Sequence, residues 1–191
     1  MTRRRALGGL LGPAAFIAAW AILGARTDGY SPVPDPISRL AAVGADTRAP
    51  MTAGFLAFAV GVGLLGIELR RTPLERAGAT ALLAAAASAG VAATPLDSAL
   101  GGAPHALAAG TVYAAVAATP LLAAGPLAGR GRRGAAAVSV GIGVATSALL
   151  LASLLDEPRT GLWQRLGLTA GDTWLMAAGA TLALRRSAED F

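Results

Sequence analysis

The sequence predicts an all-α membrane protein, a compact bundle of six transmembrane helices with a short outer interfacial helix after the first span. Three observations predict this class. Only 14% of the 191 residues are charged, compared with about 25% in soluble domains. Apolar runs close to the roughly 20 residues that cross a bilayer recur along the chain. The basic residues lie in short clusters between these runs, whereas a nucleic-acid-binding surface would gather them on one face.

The apolar runs divide the chain into spans at 6–24, 51–69, 77–95, 105–124, 135–155 and 166–184. The connections are short except the first, so residues 1–191 are predicted to form a single transmembrane domain. Spans three to five are rich in small residues, and Gly8 and Gly12 form a G-x-x-x-G pair. Small residues let helices approach closely in lipid. They predict a compact bundle here but no particular dimer face, so the oligomeric state stays open.

The arginines predict the orientation of the bundle. All 16 basic residues are arginine, and short cytoplasmic loops keep an excess of positive charge. Most of them lie on one side, namely Arg3, Arg4, Arg5, Arg70, Arg71, Arg76, Arg130, Arg132, Arg133, Arg185 and Arg186. The other side has Arg26, Arg39, Arg48, Arg159 and Arg165. The chain is therefore expected to be a multi-pass plasma-membrane protein with both termini in the cytoplasm.

The first span also resembles a secretory signal, with a basic start, an apolar stretch and small residues at its end. Cleavage there would leave five spans without altering the later loops. We expect the span to be retained, because its apolar run approaches full spanning length.

Varied polar residues gather on the predicted outer side, and the first group follows span one. Asp35 is expected to cap a short helix, with Pro36 at the first helical position, where the missing N–H is not needed. This helix would lie on the outer interface or dip into the bundle mouth, bringing Ser38 and Arg39 with it. Tyr30 suits an aromatic anchor at headgroup level. The alternative is a capped loop helix that only covers the bundle.

The second group joins spans three and four. Asp97 follows Pro95 and His105 follows Pro104, so the two would face each other across a short hairpin. His105 is a candidate base or proton relay, with Asp97 fixing its tautomer. The alternatives are a structural His–Asp pair, a histidine that only satisfies loop carbonyls, and a metal held by His105 with carboxylates. A single histidine excludes a three-His zinc centre, and no metal site is predicted.

The third group opens span six. If the helix begins near Thr160, Arg165 and Asp172 lie seven residues apart on nearly the same face. Asp172 would lie about 10 Å below Arg165, at a depth where an ionisable residue is costly and by default indicates a site. Its expected partner is Arg165, Arg39 or His105. The alternative is an interhelical salt bridge that sets packing.

These three groups resemble the prokaryotic integral-membrane family numbered 998 among domains of unknown function. The resemblance rests on the motifs D-x-I-S-x-L, P-x-D, a histidine opening span four, and G-L-x-Q-R. The matching residues are Asp35, Ile37, Ser38, Leu40, Pro95, Asp97, His105, Gly161, Leu162, Gln164 and Arg165. Thr94 departs from the family, where an aromatic more often precedes P-x-D. The resemblance implies a prokaryotic membrane protein whose motif residues share one outer-facing site, but no activity.

Three functions compete with a purely structural or assembly role. The first is binding of a membrane lipid or other amphiphile in an outer-leaflet polar pocket, where an arginine would suit phosphate. Its expected ligand-binding and lining residues are Asp35, Ser38, Arg39, Asp97, His105, Gln164, Arg165 and Asp172. The second is a membrane-embedded hydrolase or transferase using Ser38 as nucleophile or a His105–Asp97 pair as base. The third is a proton-coupled small-molecule transporter in which Asp172 and His105 form a relay.

Several classes of chemistry are excluded by what the sequence lacks. There is no cysteine, hence no disulfide framework and no thiol nucleophile. The sequence contains no phosphate-loop, dinucleotide-binding or H-E-x-x-H motif. We therefore predict no cofactor and no nucleic-acid partner.

Overall fold

The computed structural model describes residues 3–100 and 102–189, with side chains described for 4–100 and 102–184. Within these residues the chain forms six α-helices. They are α1 (Arg3–Arg26), α2 (Arg48–Leu69), α3 (Glu75–Ala93), α4 (Gly102–Ala128), α5 (Arg133–Leu155) and α6 (Thr160–Glu189). Two short 3₁₀ helices lie in the connections, at Ile37–Ala41 and Glu157–Arg159. The side chains of Arg185, Arg186 and Glu189 are not among those described, and Asp190 lies outside the described residues.

Five of these helices are long and apolar enough to cross a membrane, judged on the described residues. They are α1, from Arg4, and α2, α3, α4 and α5. Each of the six predicted spans coincides with one helix. The helices α1, α4 and α6 extend a few residues beyond the predicted span at both ends, whereas α2 and α5 begin earlier than predicted and end at the predicted residue. The prediction for α3 was wrong at its end. The helix stops at Ala93, because the residue before Pro95 is disfavoured in helical conformation.

The helices form a closed ring in which each contacts its neighbours in sequence, and α1 also contacts α6. Glycines allow the closest approaches. A Cβ atom on Gly61 of α2 would lie 2.6 Å from the Cα atom of Gly12 and would also overlap the carbonyl oxygen of Gly8. The G-x-x-x-G pair of α1 therefore packs within the chain, against α2. Large core side chains such as Met51 and Leu65 fill the interior.

The connections between helices divide the bundle into two ends. The first, named here the loop-rich end, contains residues 27–47, 94–100 and 156–159. The second, the arginine-rich end, contains residues 70–74 and 129–132. At the arginine-rich end, the buried carboxylate of Glu68 pairs with Arg71 at 3.4 Å and with Arg5 at 3.9 Å. All of the predicted motifs belong to the loop-rich end or to the helix turns beside it.

A short helix follows α1, but it does not have the expected cap. It is a single 3₁₀ segment, Ile37–Ala41, with Pro36 in the capping position and no side-chain capping bond. The carboxylate of Asp35 instead accepts a hydrogen bond from the Ser31 N–H at 2.8 Å. The cap prediction was wrong because Asp35 closes the preceding turn rather than opening the helix.

Candidate functional site

The first connection is held against the bundle by Arg165. This side chain is buried, and its Nη1 atom donates hydrogen bonds to the carbonyl oxygens of Pro32 at 2.8 Å and Asp35 at 2.9 Å. The same nitrogen also bonds to Gly161 within α6 at 2.8 Å. A planar guanidinium suits this role because it presents several donors in a fixed geometry. We call these contacts, together with those of Gln164 described next, the loop clamp.

Gln164 supplies the second half of the clamp. Its Oε1 atom accepts a hydrogen bond from the Ile37 N–H at 2.7 Å, and its Nε2 atom donates to the hydroxyl of Tyr113 on α4. A backbone hydrogen bond also joins the two segments, because the N–H of Leu162 donates to the Val33 carbonyl oxygen at 2.9 Å. The G-L-x-Q-R motif therefore binds the D-x-I-S-x-L motif through its backbone.

Tyr30 lies beside the clamp and contacts it through its hydroxyl group. Its hydroxyl accepts a hydrogen bond from Nη2 of Arg165 and donates to the Pro36 carbonyl oxygen at 3.2 Å. The Arg165 guanidinium lies 5.4 Å from the ring centroids of both Tyr30 and Trp20. Burial raises the pKa of the Tyr30 phenol, although the nearby Arg165 charge opposes this. The phenol therefore keeps the proton that it donates.

The clamped segment forms the roof of a cavity of 390 Å³ at the loop-rich end. Pro36, Ile37 and Ser38 lie at the roof, and all six helices contribute to the walls. The walls are mainly apolar, and the phenylalanines of α1 and α2 form one side. The lining residues are Phe16, Pro36, Ile37, Ser38, Phe55, Phe58, Ser88, Val91, Leu96, His105, Ala106, Ala109, Gly110, Val112, Tyr113, Ser153, Leu154, Thr160, Gln164 and Leu168.

The cavity opens sideways between α4 and α5. Its lining includes Gly110 and Leu154, which are exposed on the outer face of the ring. A second groove of 430 Å³ runs on from the same two residues and Tyr113, between Ala117 and Leu151, towards the middle of the helices. The cavity and the groove are therefore neighbours that share the lining residues Gly110, Tyr113 and Leu154.

Three polar groups in the cavity keep free hydrogen-bonding capacity. The His105 Nδ1 atom lies 2.7 Å from the Thr94 carbonyl oxygen, and since a carbonyl only accepts, Nδ1 carries the proton. The other ring nitrogen, Nε2, and the Ser38 hydroxyl have no hydrogen-bond partner among the described residues. The Tyr113 hydroxyl accepts from Gln164 and keeps its own proton to donate.

Asp97 does not pair with His105, so the predicted hairpin contact was wrong. Asp97 is exposed, has a left-handed backbone with φ of 62°, and lines a separate surface crevice with Arg39. Arg39 is exposed as well and pairs with Asp35 at 3.7 Å. His105 instead bonds through Nδ1 to the backbone of Thr94, at the end of α3. The Thr94 carbonyl oxygen takes the place expected for Asp97.

Asp172 also lies apart from the cavity. It is fully buried, and neither of its carboxyl oxygens has a hydrogen-bond partner among the described residues. Its expected partners have other contacts: Arg165 in the clamp, Arg39 with Asp35, and His105 with Thr94.

The eight predicted site residues therefore separate into four places. Ser38, His105 and Gln164 line the cavity, Arg165 and Asp35 form the clamp, Arg39 and Asp97 line the crevice, and Asp172 is alone.

Sequence reasoning missed several residues of the site. Tyr113, Ser88 and Ser153 line the cavity from α4, α3 and α5, but each of these mainly apolar helices has other polar residues as well. The only signal is that a polar residue inside a span tends to face the bundle interior, and this does not single out the residues of the cavity. In the described part of the chain, no group of three His, Cys, Asp or Glu side chains is placed to hold a metal ion.

A family model described as "Protein of unknown function (DUF998)" matches residues 10–181. The chain belongs to this family. The DUF998 match includes every residue of the clamp and of the cavity and reaches into all six helices. Comparison with curated proteins and with solved structures finds no match. With several helices long and apolar enough to cross a membrane, this DUF998 member is a multi-pass integral membrane protein of unknown activity.

Proposed function

We propose that the protein binds a membrane lipid or another amphiphile in the cavity beneath residues 36–38. The observation that carries this proposal is that an apolar cavity of 390 Å³ shares lining residues with an apolar groove between α4 and α5. A chain lying in the groove would remain in contact with the bilayer, while its polar end would enter the cavity. Mainly apolar walls with a few convergent polar groups are typical of small-molecule sites.

The polar end of the ligand is expected to be uncharged. The described residues that line the cavity include no arginine, aspartate or glutamate, and Arg165 uses its donors on the loop clamp. A phosphate headgroup would therefore enter without a cationic partner, at a high cost in desolvation. A hydroxyl or amide group can instead exchange hydrogen bonds with Ser38, His105 and Tyr113. This favours a neutral amphiphile over an anionic phospholipid.

Photo-crosslinking tests the proposal directly. The probes are a long-chain alcohol and the matching alkyl phosphate, each with a diazirine at the same carbon, added to the purified protein in detergent. We expect the alcohol to label peptides of α4 and of residues 27–47, and Ala109→Trp, which fills the cavity, to reduce this labelling at least tenfold. Leu107→Trp places the same side chain on the outer side of the same helix, where Leu107 is 74% exposed, and should leave labelling unchanged. Equal labelling of both variants would contradict the proposal.

Six membrane crossings fit this function best, with both termini in the cytoplasm of a prokaryotic cell. The helix α6 packs between α1 and α5, so it would cross with them and leave the loop-rich end outside the plasma membrane. The arginine-rich connections would then lie in the cytoplasm. Because the chain has no cysteine, Ala99→Cys and Ala128→Cys test this in intact cells with a membrane-impermeant maleimide. Ala99→Cys should react and Ala128→Cys should not; the opposite pattern would reverse the orientation.

A membrane hydrolase or transferase is the second candidate, because Ser38 and His105 line the same cavity. The Ser38 hydroxyl would be the nucleophile and Nε2 of His105 the general base, with the Thr94 carbonyl oxygen holding the ring in the required tautomer. An ester- or amide-linked amphiphile would be the substrate.

A serine-directed fluorophosphonate with an alkyl chain distinguishes the two candidates. Hydrolysis predicts covalent labelling of wild type that is lost in Ser38→Ala and strongly slowed in His105→Gln. Binding alone predicts no labelling of any variant, while the diazirine alcohol still labels the cavity. Labelling that persists in Ser38→Ala would exclude Ser38 as the nucleophile.

A further inference from the structure

Asp172 and Thr146 are two buried polar side chains on facing helices, and the cavity uses neither of them. Both are fully buried, and neither the carboxyl oxygens of Asp172 nor the hydroxyl of Thr146 has a hydrogen-bond partner among the described residues. Thr146 packs against the turn of α6 that carries Asp172, since its Oγ1 atom would lie 3.6 Å from a Cβ atom built on Gly171. Buried polar groups without partners are rare and call for a physical explanation.

The charges around Asp172 offer it no counterion. The helix α5 has no titratable side chain after Arg133, and α1 has arginines only near its two ends. On α4 the titratable residues are His105, which bonds to Thr94, and Tyr113, which bonds to Gln164. On α2 they are Arg48, at the first residue of the helix, and Glu68, which pairs with Arg5 and Arg71 at the arginine-rich end.

Nor does α6 itself supply a partner within its described side chains. Arg165, seven residues earlier, is held in the loop clamp. Among the described residues, no charged or polar group is bonded to the Asp172 carboxyl oxygens. An isolated carboxylate in such surroundings is highly unfavourable, and a buried acid of this kind takes up a proton instead.

We infer that Asp172 and Thr146 form a proton-binding site in the bundle interior, with the proton held on the carboxyl group of Asp172. A protonated carboxyl group has one O–H donor and two acceptor oxygens, and the Thr146 hydroxyl both donates and accepts. The two groups do not bond each other directly in this structure, but a water molecule between them could satisfy both without any net charge. Loss of the proton would leave an unpaired negative charge between α5 and α6, so release must be coupled to separation of these helices or entry of water. The inference does not depend on amphiphile binding.

Infrared spectroscopy of the protein in lipid bilayers tests this site. The C=O stretch of a protonated carboxylic acid is separated from the bands of ionised carboxylates, and incorporation of ¹³C-aspartate shifts it only when it belongs to an aspartate. The other described aspartates, Asp28, Asp35, Asp46, Asp97 and Asp156, lie in the connections of the loop-rich end. At neutral pH we expect wild type to have an isotope-sensitive carboxylic acid band.

Variants assign the band and supply the control. Asp172→Asn should remove it, whereas Glu68→Gln should not, because the buried Glu68 carboxylate is paired with arginines. Thr146→Val should move the band to higher frequency by removing the nearby hydroxyl. If Asp172→Asn does not fold, two results still assign the band to Asp172: its isotope shift in wild type and its frequency shift in Thr146→Val. Absence of the band in wild type, or its persistence in folded Asp172→Asn, would overturn the inference.

Discussion

The Arg165 guanidinium donates a hydrogen bond of 2.9 Å to the backbone carbonyl oxygen of Asp35, a residue 130 positions earlier in the chain. This bond joins the last helix to the first connection, and the bond to Pro32 strengthens it. Because both acceptors are backbone atoms, the clamp fixes the path of the backbone in this connection and does not require particular side chains there. The roof of the cavity depends on that path.

Replacement of Arg165 by lysine should release the connection between α1 and α2 from α6, although the positive charge is kept. A lysine ammonium cannot reproduce the planar arrangement of donors, and the buried carbonyl oxygens would lose partners at a cost of about 2–4 kcal/mol. Thermal unfolding in detergent should show this loss, and proteolysis should cut residues 27–47 faster. The exposed Arg159→Lys is the matched control. Equal stability of the two variants would argue against the clamp.

Gly161 should tolerate no side chain, because α6 and the first connection meet there. A Cβ atom at this position would overlap the Asp35 carbonyl oxygen and lie 2.7 Å from Nη1 of Arg165. Gly161→Ala should therefore destabilise the protein by about 1–3 kcal/mol, as overpacking does. Gly141→Ala on α5, where a Cβ atom meets nothing within 4 Å, should unfold at the same temperature as wild type or higher. A stable Gly161→Ala would be incompatible with this geometry.

Gly61 and Gly63 form a matched pair for the contact between α1 and α2. A Cβ atom on Gly61 would lie 2.6 Å from the Gly12 Cα atom, whereas one on Gly63 would make an ordinary contact of 3.5 Å with Ala85. Gly61→Ala should push α1 away and lower the unfolding temperature, and Gly63→Ala should have little effect. Similar results for both would mean that α1 does not pack closely on α2 in the membrane.

Asp156 gives a pH-dependent prediction at the loop-rich end. A hydrogen bond of 2.9 Å from the Trp163 indole N–H holds the pKa of Asp156 below its ordinary range, and the nearby Arg159 lowers it further. An acid whose pKa is lowered by folding adds stability above its unfolded pKa and loses it as the pH falls through the folded pKa. Carboxyl NMR in micelles should show a higher Asp156 pKa in Trp163→Phe than in wild type, and Arg159→Gln should raise it as well. An unchanged Asp156 pKa in Trp163→Phe would argue against the indole hydrogen bond.

Much of the fold could be predicted because span length and charge clustering are properties of single segments. The helix α3 ends two residues earlier than predicted, because Pro95 disfavours helical conformation in the residue before it. Asp35 does not cap the next helix as predicted, because its carboxylate accepts a hydrogen bond from the Ser31 N–H instead. The close contact of Gly8 and Gly12 with Gly61 could not be predicted. In a chain with 25 glycines, many such pairs arise by chance and only the packing selects one.

The candidate site was less predictable, because its partners are backbone atoms. Arg165 and Gln164 were identified as ligand-binding candidates from their chemistry, yet their hydrogen bonds go to carbonyl and N–H groups of the first connection. No side-chain pattern in residues 29–40 marks those acceptors. The His105–Asp97 pair had the right spacing for a contact, but His105 bonds to the backbone of Thr94 instead.

Native mass spectrometry of protein released from micelles tests the central claim most directly, namely that the clamped cavity holds a neutral amphiphile. Wild-type protein purified from its membranes should retain one bound neutral amphiphile, and Leu107→Trp should retain it equally. Ala109→Trp should lose it because the cavity is filled, and Arg165→Lys should lose most of it because the roof is released. A bound species that is anionic, or that survives Ala109→Trp unchanged, would contradict the claim.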